Sequence, residues 1–129
     1  MHAIELTRPG NAFDTSALRD LPEPHPPGPQ DVLLSVEYAV INPSDFVCAR
    51  GTYPGITFPY IGGIEGLGRV LERGANVAHL NIGDLVLLPP ETGTWRQRFT
   101  VPAADLWALP EGDAQQLAQP PISPPAFVR

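Results

Sequence analysis

The stretch from Asp31 to Ile41 carries the clearest pattern in the chain. Val32, Leu34, Val36, Tyr38 and Val40 fall on one face, with Ser35 and Glu37 on the other, the period of two that a half-buried strand requires. Shorter apolar runs at Ala3 to Leu6, Leu67 to Arg73, Leu85 to Leu88 and Trp95 to Val101 predict further strands. Gly74-Ala75-Asn76 and Gly83-Asp84 stand between them as turn formers. One segment breaks the β pattern. In Asn42-Pro43-Ser44-Asp45-Phe46-Val47-Cys48-Ala49-Arg50-Gly51, asparagine suits the cap, proline the first helical position, aspartate the positive end and glycine the left-handed exit. That predicts one short helix. The segment after the first strand ends in Pro22-Glu23-Pro24-His25-Pro26-Pro27-Gly28-Pro29, whose prolines remove backbone donors and predict an extended connector. Five or six short strands at this spacing predict a small barrel that leaves no exposed sheet edge.

Composition sharpens this picture. Seventeen prolines and twelve glycines in 129 residues exclude long helices. Even the longest proline-free stretch, Tyr60 to Leu88, contains Gly62, Gly63, Gly66, Gly68, Gly74 and Gly83, each costing a helix interior about 1 kcal/mol relative to alanine. The length suits one domain. Fourteen acidic against eight basic side chains leave a net charge of -6, which excludes a nucleic-acid binder that relies on a general basic field. No apolar run approaches the roughly 20 residues that cross a bilayer, so no membrane partner is expected. The lone Cys48 supplies neither an internal disulfide nor a Cys-x-x-Cys metal pair, and a reducing, cytoplasmic setting is expected.

Three features occur in a specific order: Asn42-Pro43-Ser44-Asp45 at the helix start, the Gly51-Thr52-Tyr53-Pro54 turn, and Gly62-Gly63-Ile64-Glu65-Gly66-Leu67-Gly68 entering a strand. Together with Gly83-Asp84-Leu85-Val86 they resemble the N-terminal, GroES-like domain of the medium-chain dehydrogenase/reductase superfamily, over about Ile4 to Ala118. The resemblance implies a mostly β, small, partly open barrel with one or two short helices. It also implies that residues 1–118 form this domain and that 119–129 begin an interdomain linker, in a chain that stops before the Rossmann domain. Zinc-dependent members place a metal-binding cysteine where this chain has Asn42 and a metal-binding histidine where it has Ile64, so no zinc is expected. His2, His25 and His79 lie in unrelated segments.

Among the zinc-free branches, the run from Asn42 to Pro54, followed by Gly62 to Val70 and by Gly93-Thr94-Trp95-Arg96, most resembles the 2-enoyl thioester reductases. Quinone oxidoreductases are the alternative, and a free-standing, non-enzymatic GroES-like module is a third reading. The implied function is the substrate-side domain of an NADP(H)-dependent reductase, inactive alone. An acyl thioester of coenzyme A or acyl carrier protein, or a quinone, would be its substrate, and the full-length form a homodimer. In the reductases the tyrosine matching Tyr53 lies at the active site. A phenol with its ordinary pKa near 10 stays protonated at neutral pH and can stabilise or protonate an enolate; the alternative is that Tyr53 only packs over its turn. Asn42 either bonds cofactor or substrate, as the resemblance implies, or caps the short helix. Trp95 either lines the pocket or joins the core with Phe99 and Val101. Arg96 and Arg98 either meet a phosphate or coenzyme A group or form a solvated strand face, the latter being the reading preferred; Glu65 is read as structural and Cys48 as a small buried hydrophobe. The run Gly63 to Gly68 imitates a dinucleotide fingerprint, but it leads into a strand instead of opening a helix.

Overall fold

A computed structural model describes residues 1–90 and 92–110 of the chain. The alternating segment forms β3 (Asp31–Ala39), the longest strand. It pairs on one side with β5 (Gly66–Arg73) and on the other with β7 (Arg98–Pro102), and β6 (Leu85–Leu87) closes the far side of β5, giving an antiparallel sheet of order β6-β5-β3-β7. Leu34 sits opposite Val70 on one neighbour and Phe99 on the other. Together with Val32, Val86, Leu80 and Leu106 these side chains make the main core.

The alternation is real only through Val36. Val32 and Leu34 are wholly buried, whereas Tyr38 is 41% exposed. The cause is a register shift against β5 between Val36 and Tyr38, since a bulge breaks the period of two and bends the strand away from its face.

The second sheet has the order β2-β1-β4, built from β1 (His2–Leu6), β2 (Ser16–Asp20) and β4 (Tyr60–Ile61). Neither β2 nor the short α1 (Ala12–Thr15) preceding it is legible in the apolar pattern. In β2 only Ala17 is partly buried, so pairing with β1 over five residue pairs holds it there. The two sheets are open and antiparallel, which corrects the expectation of a barrel with no edge. The segment just before β7 joins them: Ile4 N–H donates to the Trp95 carbonyl (2.8 Å), Gln97 N–H to His2 (3.2 Å), and Val36 N–H to Gln97 (2.8 Å). Backbone committed to two sheets at once cannot continue a single ladder, and so the strand expected from Trp95 begins at Arg98 instead.

The helix is α2 (Pro43–Ala49), with Asn42 at its cap position and Gly51 at φ +81° beyond its end. The proline-rich connector forms no strand and is tacked along β7. The Arg98 guanidinium donates to Glu23 at 2.7 and 3.0 Å, and the Thr100 hydroxyl to the His25 carbonyl at 2.7 Å. Arg98 is thus an ion-paired clamp. The Glu23 carboxyl, beside Arg98, is lowered to about 2. The tail expected to begin a linker, residues 119–129, lies outside the described residues. Among the described residues no helix is long and apolar enough to cross a membrane.

Leu34 and Tyr38 look equivalent in the sequence and differ in the fold. Leu34→Ala is expected to cost about 2–5 kcal/mol of stability, and Tyr38→Ala about 1 kcal/mol or less. Urea unfolding followed by circular dichroism checks both; equal losses would contradict the bulge.

Candidate functional site

Gly62 and Gly63 allow the site to close. A Cβ on Gly62 would run into the Trp95 ring and the Leu6 side chain, and one on Gly63 into Thr94 Oγ1 and the Trp95 ring. Gly63 also takes φ +99°, which favours glycine. The indole therefore lies directly on this stretch of backbone. Its own N–H donates to the Val40 carbonyl at 3.3 Å, and the Thr94 hydroxyl donates to the Glu65 carbonyl at 3.0 Å.

Under that ring lies a cleft of about 40 Å³, walled by Leu6, Ile56, Tyr60, Ile61 and Trp95, with Asp45 and Cys48 contributed by α2. Trp95 combines the two roles between which the sequence left a choice: it packs against the cluster of Leu6, Ala12 and Ala49, and it faces the cleft. It shares no cluster with Phe99 and Val101, which belong to the other core.

Tyr60 was not singled out by any sequence signal, because it follows Phe58-Pro59 in a segment with no periodic pattern. Burial, reinforced by Cys48 and Asp45, pushes its phenol up to about 12. Tyr53 sits on the exposed turn after Gly51 and is not among the side chains that line the cleft, although Ile56, three residues on, is.

Behind the cleft wall, α2 is bonded to the glycine loop. The buried Asn42 side-chain amide donates to the Glu65 carboxylate. The Asp45 carboxylate accepts the Asn42 backbone N–H at 2.7 Å and a backbone N–H from Ile64. The Asn42 amide is thus engaged inside the protein with Glu65, a partner that neither sequence reading named. Burial pushes both Asp45 and Glu65 above the usual carboxylate range, against the hydrogen bonds that lower them. Glu65 Oε1 is buried with no partner among the described residues.

The two arginines differ. Arg96 is not on a solvated face: its guanidinium stacks over the Phe99 ring at 4.4 Å and donates to the Thr92 carbonyl at 2.7 Å. Desolvation lowers its pKa. Cys48 is buried, as a small hydrophobe would be. His79 Nε2 lies 2.9 Å from the carbonyls of both Ala103 and Leu106, where it holds a loop far from the glycine run in sequence. Among the described residues no group of three or more histidine, cysteine or acidic side chains converges to hold a metal. The glycine run enters β5, and every strand pair among the described residues is antiparallel. The described residues therefore do not fit a dinucleotide pyrophosphate, whose site needs a strand, a turn and a helix N-terminus in a βαβ unit.

A carboxyl whose folded pKa lies above its unfolded value loses stability as pH rises through the gap between the two, because the native state holds the extra proton. Burial places Glu65 in this class. Glu65→Gln is expected to gain in thermal midpoint relative to the parent as pH is raised from about 4 to 7. Paired thermal melts across that range check the sign; a gap that narrows with pH would contradict it.

Residues 28–111 match the family model described as the alcohol dehydrogenase GroES-like domain. The chain is 36% identical over 107 residues to the mitochondrial enoyl-[acyl-carrier-protein] reductase of Arabidopsis thaliana, covering 81% of this chain and 28% of that protein. It is 33% identical over 101 residues to the synaptic vesicle membrane protein VAT-1 homolog of Rattus norvegicus, covering 77% of this chain and 25% of that one. Among solved structures, an Etr1p mutant in complex with NADP and crotonyl-CoA shares 25% identity at a TM-score of 0.80, covering 95% of this chain and 40% of that one. A quinone oxidoreductase of Pseudomonas syringae shares 28% identity at a TM-score of 0.72, covering 91% and 36%. The chain thus spans roughly a quarter to two-fifths of the proteins it matches. By the family model, the antiparallel sheets and the glycine loop under its tryptophan, this chain belongs to the alcohol dehydrogenase GroES-like domain family, among relatives that include enoyl reductases and quinone oxidoreductases.

Proposed function

We propose that this chain is the substrate-side domain, over residues 1–118, of a zinc-independent, NADP(H)-dependent 2-enoyl thioester reductase, with residues 119–129 opening the linker. The observation that carries the reading is the cleft itself. Its lining includes Asp45 and Cys48 of α2, the Gly62–Ile64 loop, and Gly93 with Trp95, and these fall within the three runs that resemble the reductases. The quinone reading keeps the support of the Pseudomonas syringae relative.

NADP(H) would supply the hydride. Since the described residues do not fit its pyrophosphate, its binding falls to a nucleotide-binding domain beyond them. Asn42 is the reading's other cofactor-side or substrate-side residue; because its amide is engaged with Glu65, its contribution is to hold α2 against the loop. Reduction at the β carbon of an enoyl thioester builds negative charge on the thioester oxygen and the α carbon. A neutral phenol donor at Tyr53 would meet that charge by hydrogen bonding or protonation, an effect worth about 10²–10⁴ in rate. Asn42 and Ile64 stand where zinc-dependent members would place ligands, and in this reading protein groups act as the donors. The lone, buried cysteine is compatible with the cytoplasm.

A chimera joining residues 1–118 to the nucleotide-binding domain of the Arabidopsis thaliana relative tests the reading. It is expected to reduce a crotonyl thioester with NADPH in preference to a quinone, while the 129-residue chain alone turns over neither. In the chimera, Tyr53→Phe is expected to lower turnover by roughly 10- to 10⁴-fold with the fold and cofactor affinity nearly unchanged. Full turnover by Tyr53→Phe would reduce Tyr53 to a packing residue, and preferential quinone reduction would hand the assignment to the alternative.

A further inference from the structure

The outer edges of the two sheets are not alike. Along β7 runs the proline-rich connector, fastened by Arg98 to Glu23 and by the Thr100 hydroxyl to the His25 carbonyl. The outer side of β6 is taken by Ala108, bridged to Val86, and by Leu109, whose N–H donates to the Leu85 carbonyl at 2.7 Å. β4 is only two residues long. β2 runs for five residues, and among the described residues no backbone group bonds to its outer side.

The pairing of β1 with β2 fixes which groups of that edge are free. Met1 and Leu21 exchange backbone hydrogen bonds at one end of the ladder, both of 2.7 Å, and Thr7 N–H donates to the Thr15 carbonyl at the other, at 3.0 Å. Between these ends the register has no irregularity. In an antiparallel ladder Ala17 and Arg19 therefore turn their backbone groups to β1, and Ser16, Leu18 and Asp20 turn theirs outward. Ser16 N–H is taken by the Ala12 carbonyl at the end of α1. That leaves the N–H and C=O of Leu18 and Asp20, with the C=O of Ser16. Leu18 is also 65% exposed, which puts an apolar side chain at the centre of an open edge.

These free groups are complementary to themselves. A second copy laid antiparallel, with the twofold axis at Leu18, sets Leu18 opposite its own counterpart and Ser16 opposite Asp20. Each Leu18 N–H then donates to the other Leu18 C=O, and each Asp20 N–H to a Ser16 C=O. The Ser16 hydroxyl meets the Asp20 carboxylate, the two leucine side chains cover each other, and Arg19, paired to Glu5 at 3.2 Å, faces Ala17. No like charges are opposed. Sliding the copies by two residues either way shortens the pairing from the five residues of β2 to three, and in one direction sets Arg19 against Arg19. We propose that β2 joins two copies of this chain in the Leu18-centred register, making one antiparallel sheet of order β4-β1-β2-β2-β1-β4. The contact lies outside the cleft and is independent of the function proposed above. A net charge of -6 on each copy opposes their approach, so added salt tightens the association.

A contact this short makes a weak dimer, so sedimentation velocity of the 129-residue chain from about 10 μM to about 1 mM is the first measurement. A monomer–dimer equilibrium is expected, tighter as salt is raised from about 0.05 to about 0.5 M. Amide hydrogen exchange followed by NMR at both ends of the concentration range locates the contact without any variant. Exchange at the Leu18 and Asp20 amides is expected to slow with the fraction of dimer, while the Ala17 and Arg19 amides, bonded to β1 in either state, change far less. Leu18→Lys places two ammonium groups opposite each other at an exposed position and is expected to weaken the dimer about tenfold or more with the fold unchanged. A chain that stays monomeric at the top of the range overturns the proposal. So does association that leaves the Leu18 and Asp20 amides unprotected, which places the contact on another surface. Protection of those amides in the monomer overturns it as well, by assigning the edge to the chain's own residues, and so does undiminished association of Leu18→Lys.

Discussion

The whole cleft depends on how closely the Trp95 indole lies on the backbone of Gly62 and Gly63. No side chain fits between them. The ring and the Leu6 side chain of β1 both close on Gly62, and Tyr60, Ile61, Leu6 and Trp95 line one cleft. The same short segment supplies the backbone bonds that link β1 to β3. The segment from Trp95 to Gln97 therefore both ties the two sheets together and, through Trp95, walls the cleft. This explains how a fold with open sheet edges still presents a defined site: the sheets need not close into a barrel if a crossing segment binds both.

Behind this wall the structure holds buried charge at a cost. Asp45 and Glu65 are nearly inaccessible, and burial acts on both against ionisation. Their hydrogen bonds from Asn42 and Ile64 offset part of that cost and connect α2 to the glycine loop. In the metal-binding relatives that the sequence resembles, the positions of Asn42 and Ile64 hold ligands. Here an amide donates to a carboxylate at one, and an alkyl side chain faces the cleft at the other. Among the described residues the polar groups behind the cleft thus bond to one another, and the cleft itself is lined mostly by apolar side chains.

Much of this was legible in the residues themselves. The helix from Pro43 to Ala49 was announced by its cap, proline and exit glycine, all of which act within a few residues of chain. The paired strands β3 and β5 were announced by alternation and by glycines on either side. That the helices among the described residues are short followed from proline and glycine. The resemblance carried by Asn42 to Asp45, the Tyr53 turn and the glycine run led to the family, because each of those segments has its conformation dictated locally.

What the sequence could not decide are the contacts between segments remote in the chain. β2 has no apolar stripe and exists because β1 lies beside it. Tyr38 and Leu34 share one alternating pattern, yet a register shift against β5 separates an exposed ring from a buried one. Arg96 and Arg98 read as a solvated pair until Phe99 and Glu23 claimed one each. Asn42 met Glu65 across 23 residues, and Tyr60 became a cleft residue only when α2 and Trp95 closed around it. Local conformation is a property of neighbouring side chains and their backbone. Burial, register and the choice of a polar partner depend on which distant segments pack together, and only the folded chain brings those into contact.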